Sequence, residues 1–461
     1  MAIIMACAMP HPPLAVPDVG RGQEKGIGKT MAALDEVAAK IAELAPETIV
    51  YITPHNVIYA DYFHISPGKK AGGDFSRFGA SGTRFETRYD EEFAREISRL
   101  AEQSGFPAGT MGETDAKLDH GVMVPMWFVN SRYRDYRSVR ISQSGLNPSE
   151  HYALGQLIAE AAEALDRKTV VVASSDLSHK LKSDGPYGFS AQGPQFDEAA
   201  TKALAEADFL ALFKITEDLR ESAAECGYNS LMVLAGCFDR LKVGARLLSY
   251  EGPFGVGYAV ATFMPGEPDE GRNILDQFAG IALKDARERQ STEDSYRALA
   301  RGSLEHRVRN GVELPFPDGL PDEMLELRAG VFVSIHKNGR LRGCVGTIAP
   351  TTQSIAAEII QNAVSAGLSD TRFERITEAE LPYLTYKVDV LSPSEPISGP
   401  EELDVKRYGV IVTSGYKRGL LLPNLDGIDT VDEQIAIARS KAGISDRERI
   451  RLERFEVVRH E

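Results

Sequence analysis

Short apolar runs separate longer amphipathic stretches through the first 265 residues of this chain. Residues 3–8, 48–52 and 169–173 are apolar, β-branched runs closed by turn residues, the pattern of strands buried on both faces. Residues 138–141, 243–250 and 258–263 predict further strands. Helical periodicity marks 29–45, 90–104, 122–129, 148–165, 196–213 and 228–238. Strands alternating with helices predict an α/β fold, a mixed sheet flanked by helices. Residues 67–83, rich in Gly, Lys and Ser, read as a long mobile loop of the kind that forms lids.

The pattern changes at Pro265-Gly266-Glu267-Pro268-Asp269-Glu270-Gly271, where two prolines and two glycines among acidic residues signal a linker. A charged helix is predicted over 274–289. Beyond it, strands at 330–335, 386–391, 409–413 and 419–422 interleave less regularly with helices at 296–307, 354–365 and 431–442. The expectation is three segments: an α/β domain over 1–265, a linker and helix over 266–294, and a smaller α+β domain over 295–461.

Composition narrows the function classes. A net charge of -15 argues against nucleic acid and against anionic lipid as partners. No apolar run approaches the roughly 18 residues of a membrane span. The opening residues enter a strand without a basic leader region, so no signal peptide is expected. Cys7, Cys226, Cys237 and Cys344 are scattered without CxxC spacing. That pattern fits a reducing cytoplasm, with no disulfide framework.

Candidate chemistry lies where three predicted strands end. The first leads into Pro10-His11-Pro12-Pro13, the second into Pro54-His55-Asn56, and the third into Ser174-Ser175-Asp176-Leu177-Ser178-His179. Ligands in open α/β sheets bind beyond the carboxyl ends of strands, so the three imidazoles are expected to converge. Proline on both sides of His11 and before His55 fixes φ and makes a rigid ligand loop. A lone histidine in a turn is ordinary; two Pro-flanked ones ending neighbouring strands point to a metal. Two imidazoles and one carboxylate form the open facial triad of non-haem Fe(II) sites. Glu225, just before the predicted helix at 228, is the candidate carboxylate, and a helix N-terminal acid is the plain alternative. His120, in Asp119-His120-Gly121, is a further turn histidine. His64, His151, His306, His336 and His460 have less distinctive settings and read as structural or surface residues.

Taken in order, Pro-His-Pro-Pro, Thr-Pro-His-Asn, Leu-Asp-His-Gly and Ser-Asp-Leu-Ser-His resemble the catalytic subunit of class III extradiol ring-cleaving dioxygenases. The resemblance spans nearly all of 1–265. It implies His11, His55 and Glu225 as Fe(II) ligands, with zinc or another divalent metal as the alternative. It further implies His179 as the acid/base group and His120 as a second histidine near the substrate. The implied substrates are O2 and a small aromatic of the catechol or aminophenol kind. Asp119 and Asp176 would orient neighbouring imidazoles. The Memo-like branch of this fold instead carries Cys-Gly where the dioxygenases have glutamate, and Glu225-Cys226-Gly227 satisfies both patterns.

In the second half, Leu-Arg-Gly-Cys-Val-Gly at 341–346 follows a strand and an Asn338-Gly339 turn. Cys344 reads either as a packed small residue or as a reactive thiol near Arg342. Arg-Gly-Cys-Val-Gly, Asp-Thr-Arg-Phe, Leu-Leu-Leu-Pro and Lys-Ala-Gly resemble the AMMECR-type domain over 295–461. AMMECR-type and Memo-like proteins keep company with radical-SAM proteins. The resemblance therefore implies a radical-SAM protein as partner in a second reading, a metal-binding component without dioxygenase activity. An assembly of identical chains is also expected.

Overall fold

A computed structural model describes residues 2–114, 117–337, 340–425, 427–445 and 447–461. It divides into two compact units, Met1–Phe278 and Ala279–Glu461. The division falls inside the helix Ile274–Ser291, not in the proline-rich stretch before it. Pro265–Pro268 instead finish a strand, Tyr258–Pro268. Only residues 261–263 of that strand pair with Ile3–Met9, so its prolines lie where one side has no ladder to break.

The first unit is built on a six-stranded mixed sheet. Its spatial order is Arg137–Ser142, Thr48–Thr53, Thr169–Ser174, Ile3–Met9, Tyr258–Pro268 and Leu241–Glu251. The first four run parallel; Tyr258–Pro268 is antiparallel to Ile3–Met9, and Leu241–Glu251 is antiparallel to Tyr258–Pro268. Every residue of Thr48–Thr53 and Thr169–Ser174 is buried, because helices cover both faces. On one face Ala6, Val50, Ile52 and Val171 pack against Ile97, Ile158 and Leu234. On the other, Cys7, Ile49, Tyr51 and Val172 pack against Val37, Ile41 and Met126. Alternate side chains of each strand thus serve alternate layers. Since four strands are parallel, their carboxyl ends share one edge of the sheet.

The expected lid at 67–83 is ordered as an antiparallel hairpin, Lys70–Phe75 with Ala80–Arg88. Its glycines permit close packing: a Cβ on Gly73 would lie 2.7 Å from Met123 Sδ and 3.1 Å from the Leu118 carbonyl oxygen. Phe75 is fully buried. The helix expected over 196–213 is two, Gln192–Glu206 and Phe209–Phe213. Ala207 turns left-handed (φ 49°) and Asp208 caps the second helix at Ala211 N. A short helix, Glu217–Ala223, was not expected from periodicity.

The second unit is α+β. One four-stranded antiparallel sheet has the order Arg340–Gly346, Val331–Lys337, Leu384–Leu391, Val457–His460. Helices Ser295–Asn310 and Ile355–Leu368 pack on it through Leu299, Leu304, Ile359 and Ala363. A second sheet, Glu395–Ile397, Arg451–Phe455, Gly409–Ser414, Lys417–Leu421, is covered by Val431–Lys441. The expected Asn338-Gly339 turn lies outside the described residues. Cys344 N donates to Asp370 Oδ2 (2.9 Å), and Ser334 Oγ donates to its sulfur (3.2 Å). Among the described residues no helix is long and apolar enough to cross a membrane.

Candidate metal centre

Each of the four parallel strands delivers a polar group to the shared edge. Met9 leads to His11, Thr53 to His55, Ser174 to Asp176 and His179, and Ser142 to Gln143. His11 Nε2 and His55 Nε2 lie 2.9 Å apart. Cys226 Sγ is 3.5 Å from His11 Nε2. One donor atom from each of these residues lies within 4.8 Å of the others. Donors about 2.0–2.3 Å from a shared ion stand at such separations.

The surroundings prepare the donors. His11 is only 1% exposed. Ser174 Oγ donates to the Gly121 carbonyl oxygen, so at 2.8 Å it accepts from His11 Nδ1–H. That places the proton on Nδ1 and leaves the Nε2 lone pair facing Cys226 and His55. Asp176 Oδ1 accepts from the His11 backbone N–H (2.8 Å), which fixes the loop. Burial and the neighbouring imidazoles hold His11 well below its ordinary pKa. Withdrawal from water and the neighbouring His120 push His55 down to about 4. Both rings are neutral at pH 7, the form that binds metal. Asp119 Oδ1 caps the helix His120–Arg132 at Val122 N and accepts from Thr53 Oγ1 (2.6 Å). Thr53 Oγ1 accepts in turn from the His55 backbone N–H (3.2 Å).

The structure brings a different neighbour of the expected carboxylate beside the two histidines. Glu225 does not join the two histidines; Cys226 does. Glu225 Oε2 instead accepts from Tyr228 N (2.6 Å) at the start of the helix Tyr228–Gly236. Burial raises the Glu225 carboxyl to about 7. Gly227 allows the turn to approach: a Cβ there would lie 2.5 Å from Ser175 Cβ and 2.7 Å from the Asp176 carbonyl oxygen. With Glu225 turned to the helix and Gly227 against Ser175, the intervening side chain faces the histidines. Gln143 Nε2 holds this turn, donating to the Cys226 carbonyl oxygen (2.9 Å) and to Ser230 Oγ (2.8 Å).

His120 stacks on His55 with ring centroids 4.2 Å apart, outside the donor set. His179 Nδ1 donates to the Leu177 carbonyl oxygen (3.0 Å), and the Ala224 backbone also hydrogen-bonds to the ring. The charges of His120 and His179 both act on His11 and His55, so all four rings share one site. A cleft of about 1240 Å³ opens beside it, lined by His55, His120, Phe78, Phe85, Leu118 and Met123 among others. Half of that lining comes from the hairpin that sequence composition read as a mobile loop.

Sequence reasoning missed Ser174 and Gln143. A polar residue ending a buried strand, where the next apolar position would stand, was the available signal. Ser174→Ala is expected to lower metal affinity about 10–100-fold while leaving the fold intact. Competition with a chromophoric chelator, beside far-ultraviolet circular dichroism, measures both.

Residues 5–261 match the family described as the catalytic LigB subunit of aromatic ring-opening dioxygenase. Residues 297–460 match the AMMECR1 family. A Clostridium acetobutylicum protein is 40% identical over 460 residues, covering 98% of both chains. A Thermotoga maritima protein is 45% identical over 159 residues, 34% of this chain and 91% of its own. Among solved structures, an uncharacterized protein of Pyrococcus horikoshii is 30% identical with a TM-score of 0.33, over 36% of this chain and 88% of its own. An uncharacterized protein of Escherichia coli K12 is 15% identical with a TM-score of 0.38, over 57% of this chain and 99% of its own.

Proposed function

The chain belongs to the family of catalytic LigB subunits of aromatic ring-opening dioxygenases, with an AMMECR1 unit joined to it, and from that premise we propose a metal-dependent dioxygenase. Its metal ligands are His11, His55 and Cys226, its metal is Fe(II), and it opens a small catechol- or aminophenol-like ring with O2. The observation that carries this reading is the convergence of three donor atoms beside a cleft that one of the donors, His55, lines. A metal held by three protein groups with an open side is the arrangement of a catalytic site, since structural sites close all four positions. Two imidazoles and a thiolate suit iron, zinc or copper and disfavour magnesium or calcium. Bound there, the metal supplies Lewis acidity, redox capacity and a template for two adjacent substrate heteroatoms.

The chain's own residues supply the rest. Neutral His179 Nε2 takes the proton of a substrate hydroxyl and returns it later to the opened product. His120 lines the cleft wall where the ring lies and offers a polar face to it. Phe78, Phe85 and Leu118 make that wall apolar and reduce the water around the ring.

The thiolate favours a second reading. Where the ring-opening triad has a carboxylate, this site has sulfur, as in the Memo-like pattern. In that reading the chain is a metal-binding component and residues 295–461 recruit a radical-SAM protein. Anaerobic loading with Fe(II), followed by aerobic screening of catechols and aminophenols, separates the two. Ring opening, followed by the coloured product and by oxygen uptake, is the expected result. Stoichiometric iron with no oxygen uptake across the panel would leave the second reading standing.

A further inference from the structure

His179 stands on a turn held by a buried carboxyl that the chemistry above does not use. Asp197 lies in the helix Gln192–Glu206 and is 1% exposed. Its Oδ1 accepts from the Ser178 backbone N–H (2.7 Å), and its Oδ2 accepts from the Tyr250 hydroxyl (2.7 Å). Gly193, one turn earlier on the same helix face, meets the same residue: a Cβ there would lie 2.7 Å from Ser178 Oγ. Ser178 is fully buried, and each of its polar groups is engaged. Its carbonyl oxygen accepts from Gly257 N (2.8 Å). Its hydroxyl donates to the Ala223 carbonyl oxygen (3.1 Å) and accepts from Lys180 N (3.0 Å). His179 N donates to that same Ala223 carbonyl oxygen (3.0 Å). Among the described residues, Asp197 is the one side chain that holds Ser178 by a hydrogen bond; its other partners are backbone.

Burying a carboxyl is costly, so its presence there calls for a task. Burial pushes Asp197 up to about 6, opposed by the Tyr250 hydroxyl and the Ser178 N–H. The space around it is closed: a Cβ on Gly257 would lie 2.0 Å from Asp197 Oδ2. A residue held by its N–H, its carbonyl and its hydroxyl leaves the next one little freedom, and the next one is His179. We propose that Asp197 is a positioning residue, whose length between its helix and Ser178 N sets where the His179 ring stands. The His179 pKa is set by its own burial and by the Leu177 and Ala224 backbone, not by Asp197. The contribution of Asp197 is therefore one of place, not of charge. The inference rests on the reading above of His179 as the acid/base group.

Two variants separate place from charge. Asp197→Asn keeps the length: Oδ1 still accepts from Ser178 N, and Nδ2 donates to the Tyr250 oxygen. Asp197→Glu keeps the charge but adds a methylene where Gly257 leaves no room. D197E is expected to lower kcat for ring opening by up to about 10²-fold, the cost of misplacing a catalytic group by about 1 Å, with little change in KM. D197N, the conservative variant, is expected to keep most of the rate. Both keep the metal, because Gln143 holds the Cys226 turn from another element. Gly257→Ala crowds the same carboxylate from the opposite side and replaces D197E if that variant does not fold. Nuclear magnetic resonance signals of the His179 ring, assigned with His179→Ala in zinc-loaded protein, read position without turnover. They are expected to stay in place in D197N and to move in D197E and G257A. D197N as impaired as D197E would show a charge effect and overturn the inference. An unmoved ring with full rate in D197E or G257A also overturns it, as does loss of metal in D197E. Wild-type protein that opens no ring rejects the dioxygenase, and the ring signals still decide the positioning. Ring opening that neither D197E nor G257A affects does the reverse.

Discussion

Cys226→Ala is expected to lose stoichiometric metal, whereas Glu225→Gln retains it. The two side chains are adjacent but have opposite roles. Cys226 Sγ stands 3.5 Å from His11 Nε2, while the Glu225 carboxylate is engaged at Tyr228 N. Losing an outer partner of a metal ligand typically costs about 10–100-fold in affinity, and losing a donor itself is expected to exceed that. His11→Ala and His55→Ala are expected to match Cys226→Ala, because each removes one of three donors. Glu225→Gln instead weakens a helix start, a loss of about 0.5–2 kcal/mol in stability. Chelator competition reads the first effect and thermal unfolding of the metal-free protein the second. Metal loss in Glu225→Gln with full binding in Cys226→Ala would restore the two-histidine, one-carboxylate site and reject the thiolate.

That pair also marks how far the sequence could be read. The three histidine-bearing strands were legible because buried parallel strands are written as continuous β-branched runs. The sheet rule then places their carboxyl ends together. Which residue of Glu225-Cys226-Gly227 faces the metal was not legible. One step of rotation in a turn exchanges the side chains. The rotation is set by contacts distant in sequence: Gly227 against Ser175, and Gln143 on the Cys226 carbonyl. Residues 67–83 were misread because glycine serves both mobile loops and close-packed hairpins, and Met123 decides between them from another element. The break at Ala207 carries no glycine or proline, so periodicity ran through it. In the second unit the strands were legible but their pairing was not. Val457–His460 joins Leu384–Leu391 across more than sixty residues, a register that local pattern does not encode.

His179→Ala is expected to keep the metal and lose about 10²–10⁴-fold in ring-opening rate, the usual contribution of a general base. Three observations support the separation. His179 is absent from the donor group. Its backbone N–H donates to the Ala223 carbonyl oxygen (3.0 Å) and its ring is held by the Leu177 carbonyl oxygen and the Ala224 backbone. Tyr187 packs edge-on at 5.1 Å and limits its swing. Burial lowers the His179 pKa below the ordinary imidazole value, so the ring is a neutral base at pH 7. The sign of the pH dependence follows: protonation removes the base, so the rate falls with falling pH, and its acid limb lies below the ordinary imidazole range. In His179→Ala that limb is expected to disappear along with most of the rate. Iron content measured beside oxygen uptake at several pH values decides the role. Loss of iron would make His179 a ligand. Retention of both iron and rate would pass the base role to His120, which lines the cleft wall. Burial and a neighbouring cation hold His120 at about 4, so its acid limb would lie near that value.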